Sequence, residues 1–243
     1  MLQIKVNVFR FLKGNIFWFS EKPNALNFLT SFYKQCAYNK PMFGYKQTTF
    51  FTKIVSLKNL SSAEILNNFD KKTAYEVRRS LSDEIEIGVE SDIENFISYY
   101  NQFATTKSLA PLSSHFKSYH NNLLVTKATY NGSVLVMHAY LIDKLKQRTR
   151  LLYSASHYRL EIDTKIKAIV GRANRLLHYQ DICLFKDLGI EEYDLGGYAL
   201  GTEDQSLIRI NQFKDGFGGQ LVQEYDYSPV SLQLLSLFSK RFN

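Results

Sequence analysis

The sequence predicts a mixed α/β fold with a largely antiparallel central sheet flanked by helices. Three observations carry this. Short β-branched and aromatic runs recur between Thr48 and Tyr225. Asn131-Gly132, a strong two-residue hairpin signal, joins two of them. Capped amphipathic stretches separate the others, in the order strand, two helices, strands, helix, strand, helix, strand. A doubly wound dinucleotide fold would alternate more regularly.

At the N-terminus, apolar runs at Ile4–Leu12 and Asn15–Phe19 flank Lys13-Gly14, which predicts a hairpin turning at the glycine. Pro23 and Asn24 then open a predicted helix through Leu26, Phe28, Leu29, Phe32 and Tyr33 to Cys36, followed by a loop with Pro41. Thr48–Leu57 reads as a strand. Ser61, Ser62 and Glu64 cap a short helix to Phe69, and Asp70 caps another to Leu81. Ile85, Ile87 and Val89 alternate as a half-buried strand, and Ser91-Asp92 opens a helix to Lys107. After Pro111 a shorter helix carries His115–Tyr119. Three strands follow, Leu123–Tyr130, Ser133–Ile142 and Arg150–Ser156. A helical patch spans Asp163–Val170, and a long helix runs from Ala173 to Leu188, with Gly189 as its C-terminal cap. Strand Glu192–Leu195, helix Asp204–Lys214, strand Gly219–Tyr225 and a terminal helix from Pro229 with Leu232, Leu234, Leu235 and Phe238 complete the chain. The expected organisation is an accessory hairpin and helix over 1–45, a main domain over 46–228, and the helix 229–243 packing on it.

At 243 residues and 45% hydrophobic, the chain can bury a sizeable core without disulfides. Cys36 and Cys183 lack metal-ligand or redox-pair spacing and read as free, buried thiols of a cytoplasmic protein. No stretch approaches the ~20 apolar residues of a bilayer span, and the N-terminus has no secretory pattern. The net charge of +7 favours an anionic ligand such as a nucleotide, a CoA pyrophosphate, tRNA or an acidic lipid surface; a solvated basic face is the plainer alternative.

Several residues carry candidate chemistry. His138 lies in Val136-Met137-His138-Ala139-Tyr140, a central strand where Val136 and Tyr140 share its face. A histidine there can take a proton from an incoming ammonium, although a lone strand histidine also serves as a core residue with one hydrogen bond. Tyr140 and His178 are its natural companions. Ser154, Ser156 and Arg159 sit at a strand end where they can hold a phosphate or carboxylate. Gly171, Arg172 and Asn174 begin the predicted long helix, whose free amides suit a phosphate. Asp194 either orients a substrate or caps its own loop before Gly196-Gly197. There is no phosphate-binding Gly-rich loop before Lys-Ser/Thr, no Gly-x-Ser-x-Gly elbow and no His-Glu-x-x-His helix, so no metal is expected.

Tyr193-Asp194-Leu195-Gly196-Gly197, followed by Phe213-Lys214-Asp215-Gly216-Phe217-Gly218, resembles the end of a GCN5-related (GNAT-type) N-acyltransferase domain of the FemABX-like branch, the peptidoglycan aminoacyl transferases. Gly171-Arg172-Ala173-Asn174 resembles the turn opening that family's long helix, and Tyr75–Arg79 with Glu84–Val89 its basic helix and strand. The resemblance is close over Gly171–Tyr225 and topological before that. It implies acyl transfer to nitrogen, with Lys214 at the active site beside Phe213. It also implies acyl-CoA (acetyl-CoA) as donor, or alternatively aminoacyl-tRNA. The small-molecule amine acceptor would be an amino sugar, nucleotide-linked or lipid-linked, of a peptidoglycan or surface-polysaccharide precursor. Lys167 replaces the Arg or Gln that opens the wider superfamily's CoA pyrophosphate motif. A non-catalytic module binding a sugar nucleotide is the alternative from another class.

Overall fold

The structure, a computed structural model, describes residues 1–9, 12–159, 161 and 163–233. Among the described residues there are ten strands, and the chain divides into two compact units, Met1–Thr52 with the segment from Leu221 onward, and Lys53–Gln220. The first unit therefore extends past residue 45 and takes in the last strand.

In the first unit, β1 (Leu2–Phe9) and β2 (Leu12–Trp18) form an antiparallel hairpin. The predicted turn at Lys13-Gly14 is corrected, since both residues lie within β2; residues 10–11 lie outside the described residues. Gly14 is inside β2 opposite Val6, where an added Cβ would run into the Thr30 carbonyl and the Val8 side chain. The glycine answers close approach instead of a turn. The predicted helix to Cys36 is also corrected: a short 3-10 turn, Ala25–Asn27, leads into β3 (Ser31–Cys36). Ser31, Tyr33 and Gln35 are buried with half-buried Phe32 and Lys34 between them, the period of two that suits an aromatic-rich strand. It pairs parallel with β2 and antiparallel with β10 (Gln220–Pro229), and β4 (Tyr45–Ser56) lies beside β10. Phe17, Tyr33, Cys36, Tyr45 and Tyr227 form the core. Burial pushes the Cys36 thiol up to about 12, so it is an inert packing group. Cys183 is free but only half-buried. Of the predicted terminal helix, residues 230–233 are helical and the rest lies outside the described residues.

In the second unit, α1 (Ser62–Asn67) starts at a capping box between Ser61 and Glu64, and α2 (Lys71–Ser80) at the side chain of Asp70. Next come β5 (Glu86–Glu90), α3 (Ile93–Thr106), a 3-10 helix over Ser114–Asn122 that contains the predicted short helix, and the meander β6 (Leu123–Tyr130), β7 (Ser133–Asp143), β8 (Arg148–Ser156). Val89, placed on the half-buried face by its parity, is 54% exposed. Asn131 and Gly132 both have positive φ, 49° and 74°, as a type I′ turn requires. Strand order runs β9-β8-β7-β6-β5, with β9 (Glu192–Gly197) parallel to β8. Met137 and Ala139 pack toward Phe96, Tyr100 and Phe103 of α3. Val136 packs with Ala173 and Leu177, and Tyr140 with Leu176 and Phe185, of α4 (Thr164–Asp187) on the other face.

The long helix α4 is continuous and has no break at Gly171. An interior glycine costs a helix only about 1 kcal/mol relative to alanine. The apolar stripe Val170, Ala173, Leu177 continues straight across it. Gly189, at φ 77°, ends the helix as its C-terminal cap. The fifth helix, α5 (Gln205–Asp215), is capped by Asp204.

Candidate active site

The β8–β9 pairing runs from Arg148–Arg150 against Glu192–Asp194, and both strands continue beyond it into the wall of a cavity of about 810 Å³. Ser154 and Ser156 of β8 line it, as do Asn174 and His178 of α4, Phe213 and Lys214 of α5, and the Gly196-Gly197 backbone. Lys107, Arg150 and Arg209 add cations, and no carboxylate is among the lining residues.

Three polar residues, Asn174, His178 and Asp181, recur along α4 at i, i+4 and i+7, so they share the stripe that faces β7. There they meet His138 and Tyr140. Asp181 accepts from the Tyr140 phenol at 2.6 Å and lies 2.8 Å from His138 Nδ1. The Tyr140 and Tyr193 hydroxyls are 2.6 Å apart, and Tyr193 is 2.7 Å from His178 Nδ1. Burial first, and then the Asp181 charge, raise both phenols well above their ordinary range, so both carry their protons.

Each phenol has one proton to give, which fixes the direction of the chain. Tyr140 spends its proton on Asp181, so Tyr193 must donate to Tyr140 and His178 Nδ1–H must donate to Tyr193. The His178 lone pair is thereby placed on Nε2, the ring nitrogen left for the cavity that this histidine lines. Burial, together with the charges of His138, Lys214 and Arg175, drives His178 well below its ordinary 6.5, so the ring is neutral. Phe213 and Phe217 close over it at ring distances of 5.6 and 4.7 Å.

Lys214 donates to the Gly197 carbonyl. Burial lowers its ammonium to about 8, with Asp194 opposing the shift and Arg150 adding to it. The cavity therefore pairs a neutral imidazole nitrogen with an ammonium near its neutral point.

The structure thus brings together Lys214, His178, Asn174, Phe213, Ser154 and Ser156, and it relocates others. His138 and Tyr140 are fully buried and absent from the cavity wall, and both His138 ring nitrogens face protein partners, Nδ1 at 2.8 Å from Asp181 and Nε2 at 2.9 Å from Asn174 Oδ1. Asp194 is fully buried, paired with Arg148 at 2.6 Å while accepting from the Gly196 amide at 2.8 Å; it caps its own loop. The amides of Gly171–Asn174 lie inside a continuous helix and are unavailable to a phosphate. Arg172 forks onto Asp83. The Arg159 side chain lies outside the described residues. Sequence reading missed Asp181 and gave Tyr193 no role. A carboxylate seven residues after Asn174 on an otherwise apolar helical stripe was the available signal.

Among the described residues no cluster of three His, Cys, Asp or Glu side chains is placed to hold a metal ion, and no helix is long and apolar enough to cross a membrane.

The fold resembles that of FemX and of lysylphosphatidylglycerol synthetase domains. The crystal structure of FemX superposes with a TM-score of 0.60 at 12% identity, over 77% of this chain and 63% of that one. L-PGS from Bacillus licheniformis gives 0.51 at 13% identity, covering 87% and 74%. The C-terminal domain of a putative lysylphosphatidylglycerol synthetase from Agrobacterium fabrum gives 0.52 at 11%, covering 86% and 70%. The chain thus spans less than two thirds of FemX. No family model matches it, and no curated protein matches it in sequence.

Proposed function

We propose that the cavity transfers an acyl or aminoacyl group from an activated donor to a primary amine. The observation that carries this reading is the directed chain from Asp181 through Tyr140 and Tyr193, which leaves His178 Nε2 as a bare proton acceptor in a cavity that also holds Lys214. Cations without a lining carboxylate disfavour a protonated amine, which keeps the nucleophile neutral. The amine nitrogen attacks the donor carbonyl carbon, and its oxygen takes the charge beside the Lys214 ammonium. The nitrogen's proton passes to His178 Nε2. The carbon–leaving-group bond then breaks, and His178 returns the proton to the departing thiolate or ribose oxygen.

The favoured donor is an acyl-CoA, and the acceptor an amino sugar of a peptidoglycan or surface-polysaccharide precursor, in the cytoplasm. Aminoacyl-tRNA is the second donor reading, supported by the FemX-like fold. Incubation of the protein with acetyl-CoA or charged tRNA and a panel of amino sugars, read by product mass, tests the proposal. A product gaining the acyl or aminoacyl mass supports it; saturable ligand binding with no product from either donor would overturn it in favour of a binding module.

A further inference from the structure

A second concavity, of about 390 Å³, lies between α2 and the N-terminal half of α4. Lys72 and Arg79 enter it from α2, and Lys167, Arg172 and Arg175 from α4, against one acidic residue, Glu76. Arg172 is held by Asp83, but Lys72, Arg79, Lys167 and Arg175 form no ion pair among the described residues. Arg175 is the informative member. Its guanidinium is half-buried, it donates to the Gly171 carbonyl at 2.9 Å, and its buried Nε has no partner. Withdrawing a guanidinium from water is costly, and burial pulls its pKa down, with the charges of Glu76 and Asp70 opposing the shift. Four cations converge on one concavity and one of them is partly withdrawn from water, an arrangement that suits a multivalent anion.

The groove and the reaction cavity are lined by neighbouring residues of α4. The Arg175 guanidinium sits 5.2 Å from the ring centre of Phe213, which lines that cavity, and Asn174 beside it in sequence lines the cavity as well. We infer that the α2–α4 groove binds phosphate groups of the transferring substrate through the side chains of Lys72, Arg79, Lys167 and Arg175, while its reactive end lies against His178 and Lys214. This rests on the acyl-transfer reading only for the second clause; phosphate binding stands alone. It differs from the amide cradle at Gly171–Asn174 expected from sequence, because the contacts come from side chains on two helices.

Calorimetric titration with pyrophosphate, CoA and uncharged tRNA tests it on the wild type and on a Lys72→Glu/Arg79→Glu double variant, both positions being exposed. The expected result is saturable binding of pyrophosphate, weakened by more than about tenfold in the double variant at unchanged melting temperature. Parallel loss for CoA assigns the phosphates to a CoA-type diphosphate; loss for pyrophosphate and tRNA but not for CoA, with a steep salt dependence, assigns them to a nucleic-acid backbone. No binding of any probe, or equal affinity in the two proteins, would overturn the inference. Product formed at wild-type KM for the donor by the double variant would do so while leaving acyl transfer intact.

Discussion

The Tyr140 phenol donates to Asp181 across 2.6 Å, with both side chains almost wholly removed from solvent, and this one contact orients every proton between it and the cavity. Reversing it would require a carboxyl group that donates, and the lone pair would leave His178 Nε2. The proton-accepting capacity of the cavity is thus set two residues behind its wall.

Replacing His178 by Gln is expected to reduce turnover by about 10²- to 10⁴-fold with little change in donor KM, the usual effect of removing a positioned base. Steady-state kinetics on the folded variant check it. His138→Gln, which keeps a donor toward Asp181, should lose less, because His138 orients Asp181 and Asn174 without touching substrate.

Asp181→Asn should lower kcat by at least tenfold and destabilise the fold by roughly 3–5 kcal/mol, as breaking a buried, hydrogen-bonded charge cluster does. Tyr193→Phe leaves the His178 Nδ1 proton without an acceptor and should cost about 1–3 kcal/mol. Urea denaturation measures both.

The pH profile should carry two signatures. The Lys214 ammonium titrates near 8, so turnover is expected to fall above that pH, and Lys214→Arg, whose guanidinium stays charged, should move the alkaline limb upward even if its maximum is lower. His178 is depressed from 6.5, so the unfolded chain binds its proton first as pH drops. Stability from this group is complete above 6.5 and is lost as pH falls from there through the lower native value; His178→Gln should lack that component.

Gly196 has φ 77°, and an added Cβ would stand 2.8 Å from the Leu151 carbonyl oxygen. Gly196→Ala should therefore destabilise the protein by about 1–3 kcal/mol and displace β9 at the cavity wall. Thermal unfolding tests the first effect and donor KM the second.

Much of this architecture was legible in the sequence where local chemistry and tertiary context agree. Asn131-Gly132 marks its own turn, Ser61 with Glu64 its own cap, and the Phe213–Gly218 motif the placement of Lys214 on the cavity. Reading failed where neighbours decide. Phe32 and Tyr33 fit a helical count as well as a strand, and only pairing with β2 and β10 selects the strand. Gly171 looked like a helix start because a glycine next to polar residues usually punctuates; the apolar stripe on either side overrode it. His138 was identified correctly as a central strand residue, but its distance from the cavity depends on Asn174 folding over it. Asp181 escaped notice because its partners are 41 and 43 residues away, beyond any local pattern.

The central claim, that the buried chain leaves a bare Nε2 on His178 facing the cavity, can be tested without knowing the substrate. Long-range proton–nitrogen NMR of the histidine-labelled protein, assigned with His178→Gln, should show His178 protonated on Nδ1, unprotonated on Nε2, and not titrating at its ordinary 6.5. A proton on Nε2, or an imidazolium that titrates at 6.5, would contradict it.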